Sequence, residues 1–192
     1  MNKPMQRIPE FIIYCGPMFS GKTSRLISTI DRFQYQNKNV VVFKPVMDER
    51  YSRTEVVTHS GKKINAQLVK NGRDIVEYLL SIQEDIDVIA VDEAFMIEDI
   101  ADTLIDCFRH GKTIVISSLQ LSATGNVFED VRDMMPWATK IEVCSAVCPV
   151  SGLDAYYTHK KFSSLDEIEV GGSDLYEPRA WFYHDFMNQS GE

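Results

Sequence analysis

The sequence predicts an α/β fold: a mostly parallel sheet flanked by helices, with a small C-terminal lobe. Three observations predict it. Short apolar runs alternate with segments whose apolar residues recur at helical spacing. The octapeptide Gly16-Pro17-Met18-Phe19-Ser20-Gly21-Lys22-Thr23 fits the pattern G-x-x-x-x-G-K-[ST] and lies between one such run and one such segment. Near Cys144 the alternation gives way to shorter strand-like pieces and a Gly171-Gly172 pair. Strands alternating with helices imply right-handed crossovers, and they put a ligand beyond the carboxyl ends of the strands.

Phe11-Ile12-Ile13-Tyr14-Cys15 reads as a buried first strand. The octapeptide after it is a P-loop, so the sheet is expected to be of the P-loop NTPase kind. A turn of backbone N–H groups must wrap phosphate oxygens, which glycine permits; Lys22 reaches the β- and γ-phosphates and the Thr23 hydroxyl serves Mg²⁺. Residues 24–33 form the next helix, with Leu26, Ile27, Ile30 and Phe33 at helical spacing, and its positive end faces the same phosphates. Val40-Val41-Val42-Phe43-Lys44-Pro45 follows as an interior parallel strand ending in proline. The polar segment 47–63 is loop-like, His59 is a turn residue, and Ser60-Gly61-Lys62-Lys63 is expected to close a short hairpin with residues 64–69. A helix over 72–83, a buried strand Val88-Ile89-Ala90-Val91 closing on Asp92-Glu93, a helix over 97–110 and a strand over 113–117 complete the pattern. Met134-Met135-Pro136-Trp137 reads as a helix end packed into the core.

Composition narrows the function classes. At 192 residues, 44% hydrophobic and 25% charged, the chain can bury a sizeable core, and residues 1–143 and 144–192 are the expected main domain and small lobe. A formal charge of −8 with no extended Lys/Arg cluster argues against a nucleic-acid partner. No apolar stretch is long enough to span a bilayer and residues 1–10 lack the apolar core of a secretory signal, so a cytoplasmic location without membrane association is expected. The irregular spacing of Cys15, Cys107, Cys144 and Cys148 suggests reduced thiols rather than a disulfide framework.

An apolar strand ending in Asp92 is the Walker B pattern, in which the carboxylate supports the Mg²⁺ that bridges the β- and γ-phosphates. Glu93 is placed to take a proton from an attacking hydroxyl or water. These features leave hydrolases, kinases and a binding protein that has lost catalysis all open. The discriminating residues lie elsewhere. The P-loop, then Phe43-Lys44-Pro45 with Asp48-Glu49-Arg50-Tyr51, then Asp92-Glu93-Ala94, resemble the ordered signatures of the type II thymidine kinases. Leu119, Phe128, Ala146-Val147-Cys148, Tyr157-Thr158 and Val170-Gly171-Gly172 with Tyr176 agree, so the resemblance covers nearly the whole chain.

That resemblance implies transfer of the ATP γ-phosphate to the 5′-hydroxyl of thymidine, with deoxyuridine as a related nucleoside. It implies Glu93 as general base; Lys22, Thr23 and Asp92 for phosphate and Mg²⁺; and Arg50 with Asp48 in the phosphate-transfer region. It also implies a base pocket including Met18, Met96, Leu119 and Phe128. A lasso loop covers the nucleoside, matched by Val170, Gly171, Gly172 and Tyr176. A homotetramer and feedback by dTTP are further expectations of the same kind.

The sequence departs from the family pattern in three places. Its DEAQFF-like stretch reads Asp92-Glu93-Ala94-Phe95-Met96-Ile97, so an aromatic pocket position is Met96. Its GLD-like stretch reads Ser118-Leu119-Gln120, with Ala123 where a second aromatic is usual. Each lost aromatic contact should loosen the base site by about 1–3 kcal/mol. Of the four cysteines that hold the family's structural zinc only Cys148 is present, the others reading as Ser151, Ala180 and Tyr183. Such a set makes no tetrahedral cage, so the family zinc is not expected, and Trp181 and Phe182 are the expected apolar packing of the lobe; the alternative is a rebuilt site from Cys144, Cys148, His159 and His184.

Overall fold

The computed structural model describes residues 8–48, 55–57, 63–161 and 171–188. In chain order its strands are β1 (Phe11–Cys15), β2 (Val40–Pro45), β3 (Glu55–Val57), β4 (Lys63–Asn65), β5 (Gln67–Val69), β6 (Val88–Val91), β7 (Thr113–Ser118) and β8 (Lys140–Val143). The lobe adds β9 (Ala146–Val147), β10 (Asp154–Ala155), β11 (Tyr157–Lys160) and β12 (Tyr176–Arg179). The helices are α1 (Lys22–Tyr35), α2 (Gly72–Ser81), α3 (Ile100–Arg109) and α4 (Glu129–Met134).

The main sheet runs β5-β2-β6-β7-β1-β8, and every neighbouring pair in it is parallel. Alternation along each strand divides the core between the sheet's two faces. On one face Ile12, Tyr14, Val42, Val88, Ala90 and Val115 cluster with Leu26, Ile27, Ile30 and Phe33 of α1. On the other, Phe11, Ile13, Phe43, Ile89, Val91, Ile114 and Ile116 cluster with Ile75 of α2 and with Ile100 and Leu104 of α3. Burial on both faces explains why the strands read as continuous apolar runs.

Several expectations change. Segment 64–69 is not one hairpin arm: β4 pairs antiparallel with β3, while β5 joins the main sheet beside β2. The main sheet gains β8, which sequence reading passed over. The helix expected over 97–110 begins at Ile100, because a 3₁₀ turn over Ala94–Met96 follows the strand first. Met134 is buried as expected, but Trp137 is 41% exposed and lies outside the core.

The lobe holds two short antiparallel pairs, β9 with β10 and β11 with β12. Trp181 and Phe182 do not hold it together, being 44% and 71% exposed. Its apolar centre is instead Ala146, Cys148, Ala155 and Ala180, side chains small enough for the strands to close on one another. No described helix is long and apolar enough to cross a membrane.

Candidate active site

β1 ends where the phosphate-loop motif begins, and the backbone there requires glycine. Gly16 has φ 142°, and a Cβ on it would lie 2.2 Å from the Cys144 carbonyl oxygen. Cys144 is held at that distance because its N–H donates to the Cys15 carbonyl at 2.7 Å, extending the β1–β8 ladder. Gly21, with φ 78°, turns the chain into α1. Within the loop, the Lys22 ammonium donates to the Pro17 carbonyl at 2.6 Å and the Ser20 hydroxyl to the same oxygen at 2.8 Å. Met18 and Phe19 form the outer turn, Phe19 in the left-handed region at φ 65°. The Met18 N–H donates to Thr158 Oγ1 at 3.1 Å, tying the loop to the lobe.

The acidic pair reaches this loop by register. β6 and β7 pair Val91 with Ile116, so the next residues, Asp92 and Ser117, stand side by side. The Ser117 hydroxyl donates to Asp92 Oδ1. Thr23 Oγ1, at the start of α1, donates to both Asp92 oxygens at 3.2 Å. Ser117 Oγ also accepts the Glu93 N–H at 3.4 Å, and Glu93 takes a left-handed backbone at φ 50°. One serine therefore fixes both acidic residues, and sequence reading missed it. Alignment of the two buried strands would have found it.

Asp92 is pushed up to about 7, first by burial and then by Glu93, with Asp48 adding to the effect; the Ser117 and Thr23 hydrogen bonds pull the other way. Asp48 follows β2 and pairs with Lys44 at 3.6 Å, both side chains buried. A lysine near the end of an otherwise apolar strand needs such a partner, which is the signal by which Lys44 could have been singled out. Asp92 and the Thr23 hydroxyl form a pair of hard oxygen donors, and the raised Asp92 is what a divalent cation would relieve, so these two residues fit Mg²⁺, which takes one or two protein ligands and fills its other positions with water and phosphate oxygens.

The expected base-pocket residues come from separate elements. Met96 closes the 3₁₀ turn, Leu119 is buried after β7, and Phe128 caps α4 with its ring 4.8 Å from that of Phe95. Gly171 and Gly172 precede a turn in which the Leu175 and Tyr176 N–H groups donate to the Gly172 carbonyl. Tyr176 is buried and sits in register opposite Lys160. Arg50 and Val170 lie outside the described residues.

The lobe's residues do not fit the family zinc. Cys148 is buried beside Ala180, an alanine with no ligand atom, and among the described residues no three His, Cys, Asp or Glu side chains gather as a metal cluster. Burial works to raise the Cys148 thiol, yet it is drawn down to about 7 by hydrogen bonds from the Ala180, Ser151 and Val150 backbones and the Ser151 hydroxyl.

Comparison with known proteins gives the family. A thymidine kinase of Pyrobaculum aerophilum (strain IM2) is 33% identical over 175 residues, which cover 88% of this chain and 94% of the relative. The thymidine kinase family model matches residues 10–181, from the start of β1 past the end of β12. With the phosphate loop, the acidic pair and the lobe's four strands all inside that match, the chain belongs to the thymidine kinase family.

Proposed function

We propose that this chain transfers the γ-phosphate of ATP to the 5′-hydroxyl of thymidine, giving dTMP. The observation that carries the reading is the linkage of Thr23 and Ser117 to the Asp92 carboxylate, with the Glu93 N–H on the same Ser117 hydroxyl, which sets a candidate base one residue from a candidate cation ligand at the mouth of the phosphate loop. Family membership supports ATP as phosphoryl donor.

In this reading the backbone N–H groups of residues 16–21 and the Lys22 ammonium hold the phosphates, and Thr23 and Asp92 hold Mg²⁺. Mg²⁺ supplies neutralisation of charge across the β- and γ-phosphates. Glu93 accepts the proton of the 5′-hydroxyl as that oxygen attacks the γ-phosphorus and the bond to the ADP oxygen breaks. Arg50 and Asp48 line the path of the transferred group. Met18, Met96, Leu119 and Phe128 wall the base, and the segment Val170-Gly171-Gly172 with Tyr176 covers it. Ala123 and Met96 make that pocket roomier than an aromatic pair would, so deoxyuridine is the nearest competitor. We extend the reading to a homotetramer, feedback by dTTP, a cytoplasmic location and a division of the chain into residues 1–143 and 144–192.

Purified protein with ATP and Mg²⁺ is assayed for monophosphate from thymidine, deoxyuridine and deoxycytidine, with a control lacking nucleoside. Formation of dTMP is expected. Phosphate release without any nucleoside product would make the chain an NTPase in which Glu93 activates water.

A further inference from the structure

His184 is 1% exposed, and its two ring nitrogens have different neighbours. Nδ1 faces the backbone N–H of Phe186 at 3.2 Å and of Met187 at 3.4 Å, both donors, so Nδ1 accepts. Nε2 must then carry the hydrogen, and it donates to the Thr158 carbonyl at 2.9 Å. The Tyr157 and His159 rings stand edge-on to the imidazole, with centroids 6.0 and 5.3 Å away, and limit its rotation. Thr158 is itself buried, and its hydroxyl oxygen accepts the Met18 N–H of the phosphate loop. Hydrogen bonds therefore link the C-terminal backbone to His184, His184 to the Thr158 carbonyl and the Thr158 hydroxyl to the loop, with the covalent frame of Thr158 joining the last two.

We infer that His184 is a positioning residue that sets the lobe against the phosphate loop through Thr158, and so fixes the strand that carries Tyr176. The inference rests on the thymidine kinase reading for its consequence. β11 and β12 pair over four residues, with Thr158 opposite Pro178 and Lys160 opposite Tyr176, so a shift of Thr158 is passed to Tyr176 two residues along. The lobe's apolar centre is three alanines and one cysteine, which bury little area, so directional bonds carry a large share of its placement. Thr158 also lines a small cleft together with Gly16, Pro17 and Gln120, so the lobe and the phosphate loop meet at this residue.

Two substitutions separate the jobs of the ring. In His184→Asn the amide oxygen lies near the Nδ1 position and keeps the cap on the Phe186 N–H, but nothing reaches Thr158. In His184→Gln the amide nitrogen lies near the Nε2 position and keeps the bond to Thr158 while the cap is lost. The thymidine KM of His184→Asn is expected to rise about tenfold, the loss of one buried hydrogen bond, with kcat and the ATP KM within about threefold of wild type, while His184→Gln stays within about threefold throughout. The reverse ranking, or equal KM values for the pair, would show that His184 only caps the tail and would overturn the proposal.

Thr158→Val, which removes the Met18 acceptor, is expected to raise the thymidine KM as His184→Asn does, and it replaces that variant should His184→Asn not fold. An unchanged KM there also counts against the proposal. Long-range ¹⁵N–¹H NMR of the wild type is expected to show His184 as the Nε2–H tautomer. The opposite tautomer overturns the proposal without reference to any nucleoside, whereas a wild type that makes no dTMP overturns only the thymidine reading.

Discussion

Asp92 joins the local chemistry to the stability of the whole chain. Its native carboxyl sits near 7 against an ordinary value near 4, so between those pH values the native state holds a proton that the unfolded chain releases. The Asp92 contribution is therefore fully present below about pH 4 and is lost as pH rises through about 7. In metal-free protein, the melting temperature of Asp92→Asn is expected to fall less than that of wild type across this window. Mg²⁺ is expected to raise the wild-type melting temperature more at about pH 8 than at about pH 5, since above the native pKa it meets a carboxylate already ionised. Parallel pH curves for wild type and variant would refute the assignment. Glu93 makes a separate prediction. Glu93→Gln keeps shape and hydrogen bonding but cannot accept the proton, so kcat is expected to fall by about 10²–10⁴ while ATP and thymidine still bind; unchanged turnover removes Glu93 from the mechanism. Both acids were legible from one strand. Ser117 was not, because its partnership depends on which strand lies beside β6 and at what register.

Among the elements, the buried parallel strands were legible because each is an apolar run closed by turn residues. β8 was not, because Lys140 and Glu142 interrupt its apolar residues at the edge of the sheet. β5 reads as part of a hairpin for a similar reason: three residues near Ser60-Gly61 look like a hairpin arm until β2 is seen to need a neighbour. The start of α2 is an element boundary that sequence and structure describe alike. Asn71 is extended, and its side-chain oxygen accepts the Asp74 N–H at 3.1 Å, one of the donors that a helix start leaves without a partner. Gly72 follows because a Cβ there would lie 2.4 Å from both the Asp99 carbonyl and the Thr103 hydroxyl, where α2 meets α3. Asn71→Ala is expected to destabilise the protein by about 1 kcal/mol in denaturant melts with little change in m, and Asn71→Asp to restore most of it. A loss equal to that of an exposed alanine substitution would mean that the cap contributes nothing.

For the whole molecule, the contacts that join lobe to sheet are those that sequence reading reaches least, because they link residues far apart in the chain. Met18 meets Thr158 across a separation of 140 residues. Phe186 packs on Gly125, where a Cβ would come within 1.9 Å of the ring, so the C-terminal segment also touches the loop after β7. These joints make the lobe's independence of zinc a physical question. A structural zinc stabilises its fold outright, and a lobe lacking three of four cysteines must replace that contribution. The contacts that could make up for it are identifiable: Ala180 packs at the lobe's centre, His184 bonds the Thr158 carbonyl, and Phe186 packs on Gly125. Zinc measured in purified protein is accordingly expected to fall well below one atom per chain, and a strong zinc chelator to leave the melting temperature unchanged in the presence of Mg²⁺. Stoichiometric zinc that is lost together with stability would place a metal ligand outside Cys148, Ser151, Ala180 and Tyr183. Unchanged stability would mean that hydrogen bonds, small-residue packing and the Phe186 contact close the lobe over the sheet without a metal.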